Sequence, residues 1–178
     1  MSRLVLFLIG VFTIMSGHSQ TSTKNAATMN GVDDIYRENM QDSVLATGWY
    51  FVEKDSIGFE RQLEKTEDVY FINPHPIVVA SNFKKVALEK NIYNDFYLSI
   101  SLDKVGTRAW AEATLKATGR KLGFILNNRL LYVPHINSQI TGGMTAVNSS
   151  NYTKEEYEEF KRLIGTGGQA QTTHIKIE

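Results

Sequence analysis

Histidines are the side chains of this sequence best suited to proton transfer or metal binding near neutral pH. Three of them, His75, His135 and His174, lie far apart, and none has the spacing of a metal motif. The sequence contains no cysteine, which excludes disulfides, thiolate nucleophiles and cysteine-based zinc sites. A metal site needs about three converging protein ligands. We therefore expect these histidines in loops and predict no metal.

Glycine-rich segments are the next candidates for chemistry, because glycine backbones can cradle phosphate groups. The runs TGG at 141–143 and GTGG at 165–168 are not followed by the Lys-Ser/Thr pair of a phosphate loop. No Gly-x-Ser-x-Gly elbow marks a serine nucleophile. The sequence thus predicts a non-enzymatic protein without a cofactor. The alternative is a small-ligand-binding protein or enzyme whose polar groups converge only in the fold, with Arg108, Arg120, Arg129, His135 and Gln139 as candidates.

The composition and the N-terminus indicate one exported domain. The 178 residues include 19 basic and 19 acidic side chains, so charge favours neither nucleic acid nor an anionic membrane as a partner. Arg3, the apolar run Leu4 to Ile14 and the small residues Gly17 and Ser19 have the layout of a secretory signal peptide. An uncleaved anchor is the alternative, although a transmembrane helix needs about 20 apolar residues. We expect a signal peptide at 1–19, a flexible leader at 20–46 with a short helix near 33–41, and a domain at 47–178.

The first half of this domain has the patterns of strands and one short helix. The predicted strands lie after Gly48, at 59–63 and at 69–72. Pro74 and Pro76 are expected to end the third strand, because proline cannot donate to a strand ladder. Ser81 is predicted to cap a helix that continues to Glu89.

The second half alternates strands with amphipathic helices. Asp103 is predicted to cap one helix, and Thr153 with Glu156 forms a capping box for another. The predicted inward faces are Val105, Trp110, Ala113 and Leu115 in the first helix, and Tyr157, Phe160 and Ile164 in the second. The predicted strands are 96–102, 121–126, 129–133, 144–147 and 172–178. This order indicates an α+β fold, with an antiparallel or mixed sheet, two main helices on one face and a split β-α-β (ferredoxin-like) arrangement.

Several motifs follow one another in a characteristic order. They are a proline-led segment from Pro76, a helix with Thr114 or Thr118 before Gly119 and Arg120, a tight turn, a proline-bearing return strand, and Ile-x-Gly-Gly at 140–143. Over residues 70–165 this order resembles the first periplasmic domain of SecD, an accessory subunit of the bacterial protein-export translocon. SecD crosses the membrane several times, whereas this chain looks like a free-standing relative of the head region, with no membrane span in the mature chain. The resemblance implies the fold of that head.

The segment 123–143 is the candidate recognition surface. Its predicted structural turn positions are Asn127, Asn128, Pro134, Gly142 and Gly143. Its candidate partner-binding residues are His135, Asn137, Ser138 and Gln139. Ile136 and Ile140 are expected to anchor this loop to the core. Valine at either glycine is expected to destabilise the fold, whereas His135→Ala and Gln139→Ala should weaken partner binding alone.

We interpret the chain as an exported, non-enzymatic domain that binds a polypeptide or an envelope protein, in the periplasm or outside the cell. The resemblance implies a context of protein export or envelope maturation. A purely structural interaction module is a further alternative. If the loop does not bind, the aromatic strands around Trp49 and Tyr70 are the next candidates. The sequence leaves the oligomeric state open.

Overall fold

The computed structural model describes residues 44–54 and 58–166. Within them, the strands are β1 (Gly48–Glu53), β2 (Phe59–Gln62), β3 (Val69–Val79), β4 (Phe83–Lys90), β5 (Phe96–Leu102), β6 (Arg120–Leu126), β7 (Arg129–Tyr132), β8 (His135–Ile136) and β9 (Met144–Val147). The helices are α1 (Lys104–Lys116) and α2 (Lys154–Gly165), and a 3-10 turn spans Ala80–Asn82. Neither of these two helices is long and apolar enough to cross a membrane. The predicted signal peptide, the helix near 33–41 and the strand at 172–178 lie outside the described residues.

The larger sheet is antiparallel, with the strand order β2-β3-β1-β6-β7, and β8 also pairs with β6. The sheet curls, because Leu63 bridges Leu130 and the Glu64 amide donates to the Leu130 carbonyl at 2.9 Å. A small core fills the inside of the curl, formed by Leu45, Tyr50, Ile72, Ile125 and Leu130. Leu45 is therefore a core residue, although the sequence places it in the leader.

The smaller sheet is also antiparallel, with the order β4-β5-β9. The helix α2 packs on β4 and β5, and α1 packs on β3 and β5. The main core lies where helices and sheets meet, and its largest buried side chains are Trp49, Trp110, Phe124 and Tyr157. The α+β class with antiparallel sheets and two helices is confirmed. The ferredoxin-like arrangement is not confirmed, because the strands divide between two sheets.

The predicted starts of α1 and α2 are confirmed. The Asp103 carboxylate accepts from the Gly106 amide at 2.6 Å, and Thr153 and Glu156 form the reciprocal capping box. In α2 the predicted inward stripe of Tyr157, Phe160 and Ile164 is buried.

The predicted inward face of α1 is half wrong. Val105 and Leu115 are 72% and 58% exposed, whereas Trp110 and Ala113 are buried. The buried face consists of Gly106, Trp110, Ala113 and Thr114. The other three lie three or four residues from Trp110, as neighbours on one face of a helix do. The error arose because Gly106 and Thr114 carry no strong hydrophobic signal.

The predicted helix from Ser81 to Glu89 is wrong, because this segment forms the strand β4 after the short 3-10 turn. Its residues pair with β5 from Phe83 opposite Leu102 to Lys90 opposite Phe96. The sequence FKKVALEK has good helix formers, so a local reading favours a helix. Pairing with the buried strand β5 overrides that weak preference, as tertiary context often does.

The expected end of β3 at Pro74 is also wrong, since the strand continues to Val79. Two features of β3 accommodate the prolines. Its partner β2 pairs only with Val69–Ile72, so the later residues have no ladder on that side to interrupt. On the other side, the register with β1 shifts around Tyr50, which faces Pro76. Irregular and half-paired positions are where strands tolerate proline.

The burial of Tyr50 predicts a loss of stability at alkaline pH. Burial raises the pKa of Tyr50 to about 12, and its hydroxyl donates to the Ala46 carbonyl at 2.7 Å. In the unfolded chain a tyrosine loses its proton near pH 10. The neutral phenol therefore contributes its full stability below about pH 10, and this contribution falls as the pH rises to about 12, by roughly 2 kcal/mol in all.

Chemical denaturation between about pH 9 and 12 measures this effect. Tyr50→Phe should decline less steeply over that range than the parent protein. Burial also raises the pKa of Tyr132, Tyr152 and Tyr157, so the variant should keep part of the decline. Identical slopes for the variant and the parent would contradict a neutral, buried Tyr50.

Candidate functional site

The predicted loop lies beside a groove of about 410 Å³. One side of the groove is formed by β9 and its neighbour β5. The other residues of the lining come from the turn between β7 and β8, from Ile140, and from one tryptophan each in β1 and α1. The lining residues are Trp49, Tyr97, Ser99, Trp110, Tyr132, Pro134, His135, Ile136, Ile140, Met144, Thr145 and Ala146. None of them is Asp, Glu, Lys or Arg. The groove is therefore largely apolar and aromatic, with scattered hydroxyl groups and one imidazole.

Two tryptophans form the most deeply buried part of the lining, each 1% exposed. The ring centroids of Trp49 and Trp110 are 5.0 Å apart, and Trp49 also lies 5.2 Å from Phe124 and 6.3 Å from Tyr132. Both indole N–H groups are buried and have no acceptor among the described residues. These are the two tryptophans of the whole sequence. Their fluorescence therefore reports on this groove.

Two tyrosines of the lining are held in the neutral form. A hydrogen bond to Glu89 is the main cause that raises the pKa of Tyr97, and its hydroxyl donates to the Glu89 carboxylate at 2.9 Å. Burial raises the pKa of Tyr132. Both phenols therefore remain protonated near neutral pH. The groove offers them as neutral hydrogen-bonding groups.

The strand β9 is at the edge of the smaller sheet. The Leu102 amide donates to the Gly143 carbonyl at 2.8 Å, and Ile100 and Leu98 face Thr145 and Val147. In an antiparallel pair, alternate residues direct their N–H and C=O groups toward the partner strand. The backbone groups of Met144 and Ala146 therefore point away from β5. No described residue forms a hydrogen bond with them.

The predicted partner-binding residues separate into different environments. His135 belongs to β8, is exposed and lines the groove. Asn137 and Ser138 are exposed and are not part of the lining. Gln139 does not line the groove either, because its amide donates to the Ala111 carbonyl of α1 at 3.2 Å. Only His135 of these four side chains thus lies where a groove-bound partner would touch it.

The predicted anchors of the loop are confirmed. Ile136 is buried in the main core, and Ile140 packs against that core. The Ile140 amide also donates to the Thr114 hydroxyl at 2.9 Å. At Pro134 the carbonyl accepts from the Leu122 amide at 3.2 Å, so this turn position keeps one ladder bond. The loop is therefore fixed to α1 and β6.

The two glycines of the pair have different requirements. Gly143 has a φ of +66°, and a Cβ there would lie 2.5 Å from the Thr107 hydroxyl oxygen. Gly142 does not have a positive φ, and a Cβ there would meet nothing within 4 Å. The expectation that both positions need glycine is therefore wrong for Gly142. Gly143 alone carries the steric constraint at the start of β9.

The predicted asparagine turn is confirmed, with φ of +48° at Asn127 and +65° at Asn128. Its side chains also hold the chain that enters β1, which the sequence did not indicate. The Asn128 side-chain oxygen accepts from the Leu45 amide at 3.0 Å and from the Arg61 guanidinium at 2.9 Å. The backbone N–H of Asn127 also donates to the Thr47 hydroxyl at 3.2 Å. This turn is thus a structural junction away from the groove.

The arginines considered for an alternative site do not converge on His135. Arg129 pairs with Glu64 at 3.3 Å, and Arg120 approaches Glu53 at 4.0 Å. Arg108 is exposed on α1. None of the three lines the groove. The described residues also contain no cluster of three or more His, Asp or Glu side chains that could hold a metal ion.

Sequence reasoning missed most of the groove. The sequence correctly predicts that Trp110 faces inward and offers the strand of Trp49 as a second binding surface, but nothing in it indicates that both tryptophans lie beside His135. Met144 and Ala146 appeared only as parts of a short strand. Their unpaired backbone depends on the strand order, which a single sequence does not reveal.

Comparison with known proteins identifies relatives of this domain. The chain matches the family model for the SecDF P1 head subdomain over residues 56–168. It is 33% identical to the protein translocase subunit SecD of Rickettsia typhi over 80 residues, which are 45% of this chain and 15% of the relative. It is 31% identical to SecD of Desulfurispirillum indicum over 75 residues, 42% of this chain and 14% of the relative. The chain therefore spans a small part of the length of these relatives.

Two solved structures share its fold. One is SecDF in its super-membrane-facing form, with a TM-score of 0.59 and 16% identity over 81% of this chain and 21% of the other. The second is a structure of SecDF, described as a membrane component that enhances protein export, with a TM-score of 0.55 and 18% identity over 84% of this chain and 72% of the other. At such identities the likeness concerns the fold alone. Since the family model covers more than half of the chain, as the sequence motifs led us to expect, this protein belongs to the SecDF P1 head subdomain family.

Proposed function

We propose that this domain binds polypeptides in the groove beside β9, without catalysing a reaction. The observation that carries the proposal is the combination of an apolar, aromatic groove with the unpaired backbone of Met144 and Ala146. An unfolded polypeptide offers both apolar side chains and backbone hydrogen-bonding groups. Burying one large apolar side chain contributes about 1.5–3 kcal/mol. Recurring modes of peptide recognition use strand edges and apolar pockets in this way.

The proposed setting is protein export or envelope maturation, outside the cytoplasm. Membership in the SecDF P1 head family supports this setting, and so does the N-terminal segment predicted to be a signal peptide. The partner would be an exported polypeptide or an envelope protein in an unfolded state. The chain matches a small part of SecD, so its role in translocation does not follow from the match. We propose that role together with polypeptide binding.

Intrinsic fluorescence tests this function directly, because both tryptophans line the groove. The probe is a tryptophan-free polypeptide kept unfolded by reduction and carboxymethylation of its cysteines. It should cause a saturable change in tryptophan emission, whereas its native, disulfide-bonded form should cause none. Met144→Asp places a charge at the groove and should weaken binding at least about tenfold, or 1.4 kcal/mol.

The matched control is Ile92→Asp. Ile92 is 91% exposed, lies outside the groove and gives the same exchange of an exposed apolar side chain for a charge. It should bind the unfolded probe as the parent does. The proposal is wrong if the unfolded probe leaves the emission unchanged at every concentration, or if both variants lose binding equally.

A further inference from the structure

We propose that the bound polypeptide adds a strand to the free edge of β9, with uncharged, apolar side chains at every second position. This inference rests on the proposed function and specifies its ligand. Binding through side chains alone would also fill the groove. The two modes differ in whether backbone bonds to Met144 and Ala146 are made.

The backbone of β9 is suited to this role. Met144 and Ala146 present one N–H and one C=O each on the side away from β5. A short extended segment can satisfy all of these groups at once. Both residues line the groove, so the added strand would lie along it. Side chains of a strand alternate between its faces, so every second side chain of the ligand would reach the groove.

The sequence of β9 differs from those of two other edge strands, β4 and β2. The strand β4, at the opposite edge of the same sheet, carries Lys84, Lys85, Glu89 and Lys90. The edge strand β2 of the larger sheet has the sequence FERQ. Charged residues on an edge strand hinder pairing with another chain. The sequence MTAV of β9 has no charge and no proline, so this edge lacks that protection.

The lining defines the chemistry of the ligand. It contains no Asp, Glu, Lys or Arg, so a charged side chain entering the groove would lose hydration without gaining an opposite charge. Trp49, Tyr132 and Ile136 offer apolar contacts, while Ser99 and Thr145 offer hydroxyls. An uncharged segment with alternating apolar residues fits this lining better than an acidic or basic one.

The test uses a blocked peptide of alternating valine and serine, and two N-methylated forms of it. One form is methylated on the serine amides and the other on the valine amides. In an added strand, alternate amides face β9, so one form should lose at least about tenfold in affinity and the other should bind like the parent peptide. Tryptophan fluorescence reports binding, and light scattering identifies pairing of two protein chains.

A protein variant provides an independent measurement. Ala146→Pro removes the N–H that points away from β5, and the β5 ladder through Thr145 and Val147 keeps its bonds. Edge strands tolerate proline at such positions. The variant should keep its melting temperature and lose at least about tenfold in peptide affinity. The control Ile92→Asp, which changes a residue outside the groove, should bind the peptide normally.

Each outcome decides the proposal. Strand addition is overturned if both methylated forms bind like the parent peptide, or if both lose binding equally. It is also overturned if the peptide fails to bind while the unfolded polypeptide still binds, or if light scattering shows that β9 is occupied by a second copy of this chain. These outcomes leave the proposed function, polypeptide binding in the groove, intact. Failure of both the peptide and the unfolded polypeptide removes the proposed function as well.

Discussion

Replacing Gly143 by valine should lower the free energy of unfolding by about 3 kcal/mol, because two costs add. Gly143 has a φ of +66°, a conformation that a β-branched residue avoids. The new Cβ would also lie 2.5 Å from the Thr107 hydroxyl oxygen. That hydroxyl donates to the carbonyl of Asp103 at 2.7 Å, so relief of the clash would disturb the start of α1.

Urea denaturation of Gly143→Val, Gly143→Ala and Gly142→Val measures these costs separately. Alanine at 143 keeps both costs and lacks the extra methyl groups of valine, so its loss should be smaller. Gly142→Val is the matched control, because a Cβ there meets nothing within 4 Å, and its effect should stay within about 0.5 kcal/mol. Equal losses at 142 and 143 would show that the backbone conformation of Gly143 does not matter.

The local features of this fold were readable from the sequence. Asp103, Thr153 and the Asn127-Asn128 pair each act through bonds or backbone preferences within a few residues, and the structure confirms all three. The buried strand β5 was also predicted, because its alternation of Leu98, Ile100 and Leu102 needs no knowledge of its neighbours. Local chemistry decides such features.

Features that depend on the neighbouring strands were not readable. The segment Phe83–Lys90 is a strand because β5 pairs with it, and the prolines of β3 are tolerated because β2 pairs with β3 only as far as Ile72, which faces Phe59. The same limit applies to the groove. His135 is identifiable as a candidate because it lies in a turn-like segment of the sequence. The roles of Met144 and Trp49 depend on the tertiary structure, since Met144 lies on an unpaired strand edge and Trp49 lies next to Trp110.

Substitutions of the more exposed lining residues are better tests of binding than substitutions of the buried ones. Met144 is 44% exposed, so changing it alters the groove with little effect on the core. Trp49 lines the same groove but packs against Trp110, Phe124 and Tyr132. Loss of binding on changing Trp49 would therefore not distinguish a lost contact from a disturbed core.

Truncating Trp49 should accordingly produce the largest loss of stability of any change considered for this domain. We expect Trp49→Ala to lower the free energy of unfolding by about 3–5 kcal/mol, the range for large aromatic residues in cores. Its ring is 1% exposed, and three aromatic rings lie within 6.3 Å of it, centroid to centroid. Urea denaturation followed by circular dichroism measures the loss, since the variant has lost one of the two fluorophores.

Trp49→Phe is the matched control. It keeps an aromatic ring in contact with Phe124 and removes an indole N–H that has no acceptor among the described residues. Leaving a buried donor unpaired costs about 1–3 kcal/mol, so its removal should offset part of the lost packing. The phenylalanine variant should therefore lose clearly less stability than the alanine variant. Equal losses would mean that Trp49 stabilises the fold through something other than aromatic packing.

Trp49→Phe also leaves Trp110 as the remaining fluorophore of the groove, so a peptide-induced change in the emission of this variant would locate binding beside α1.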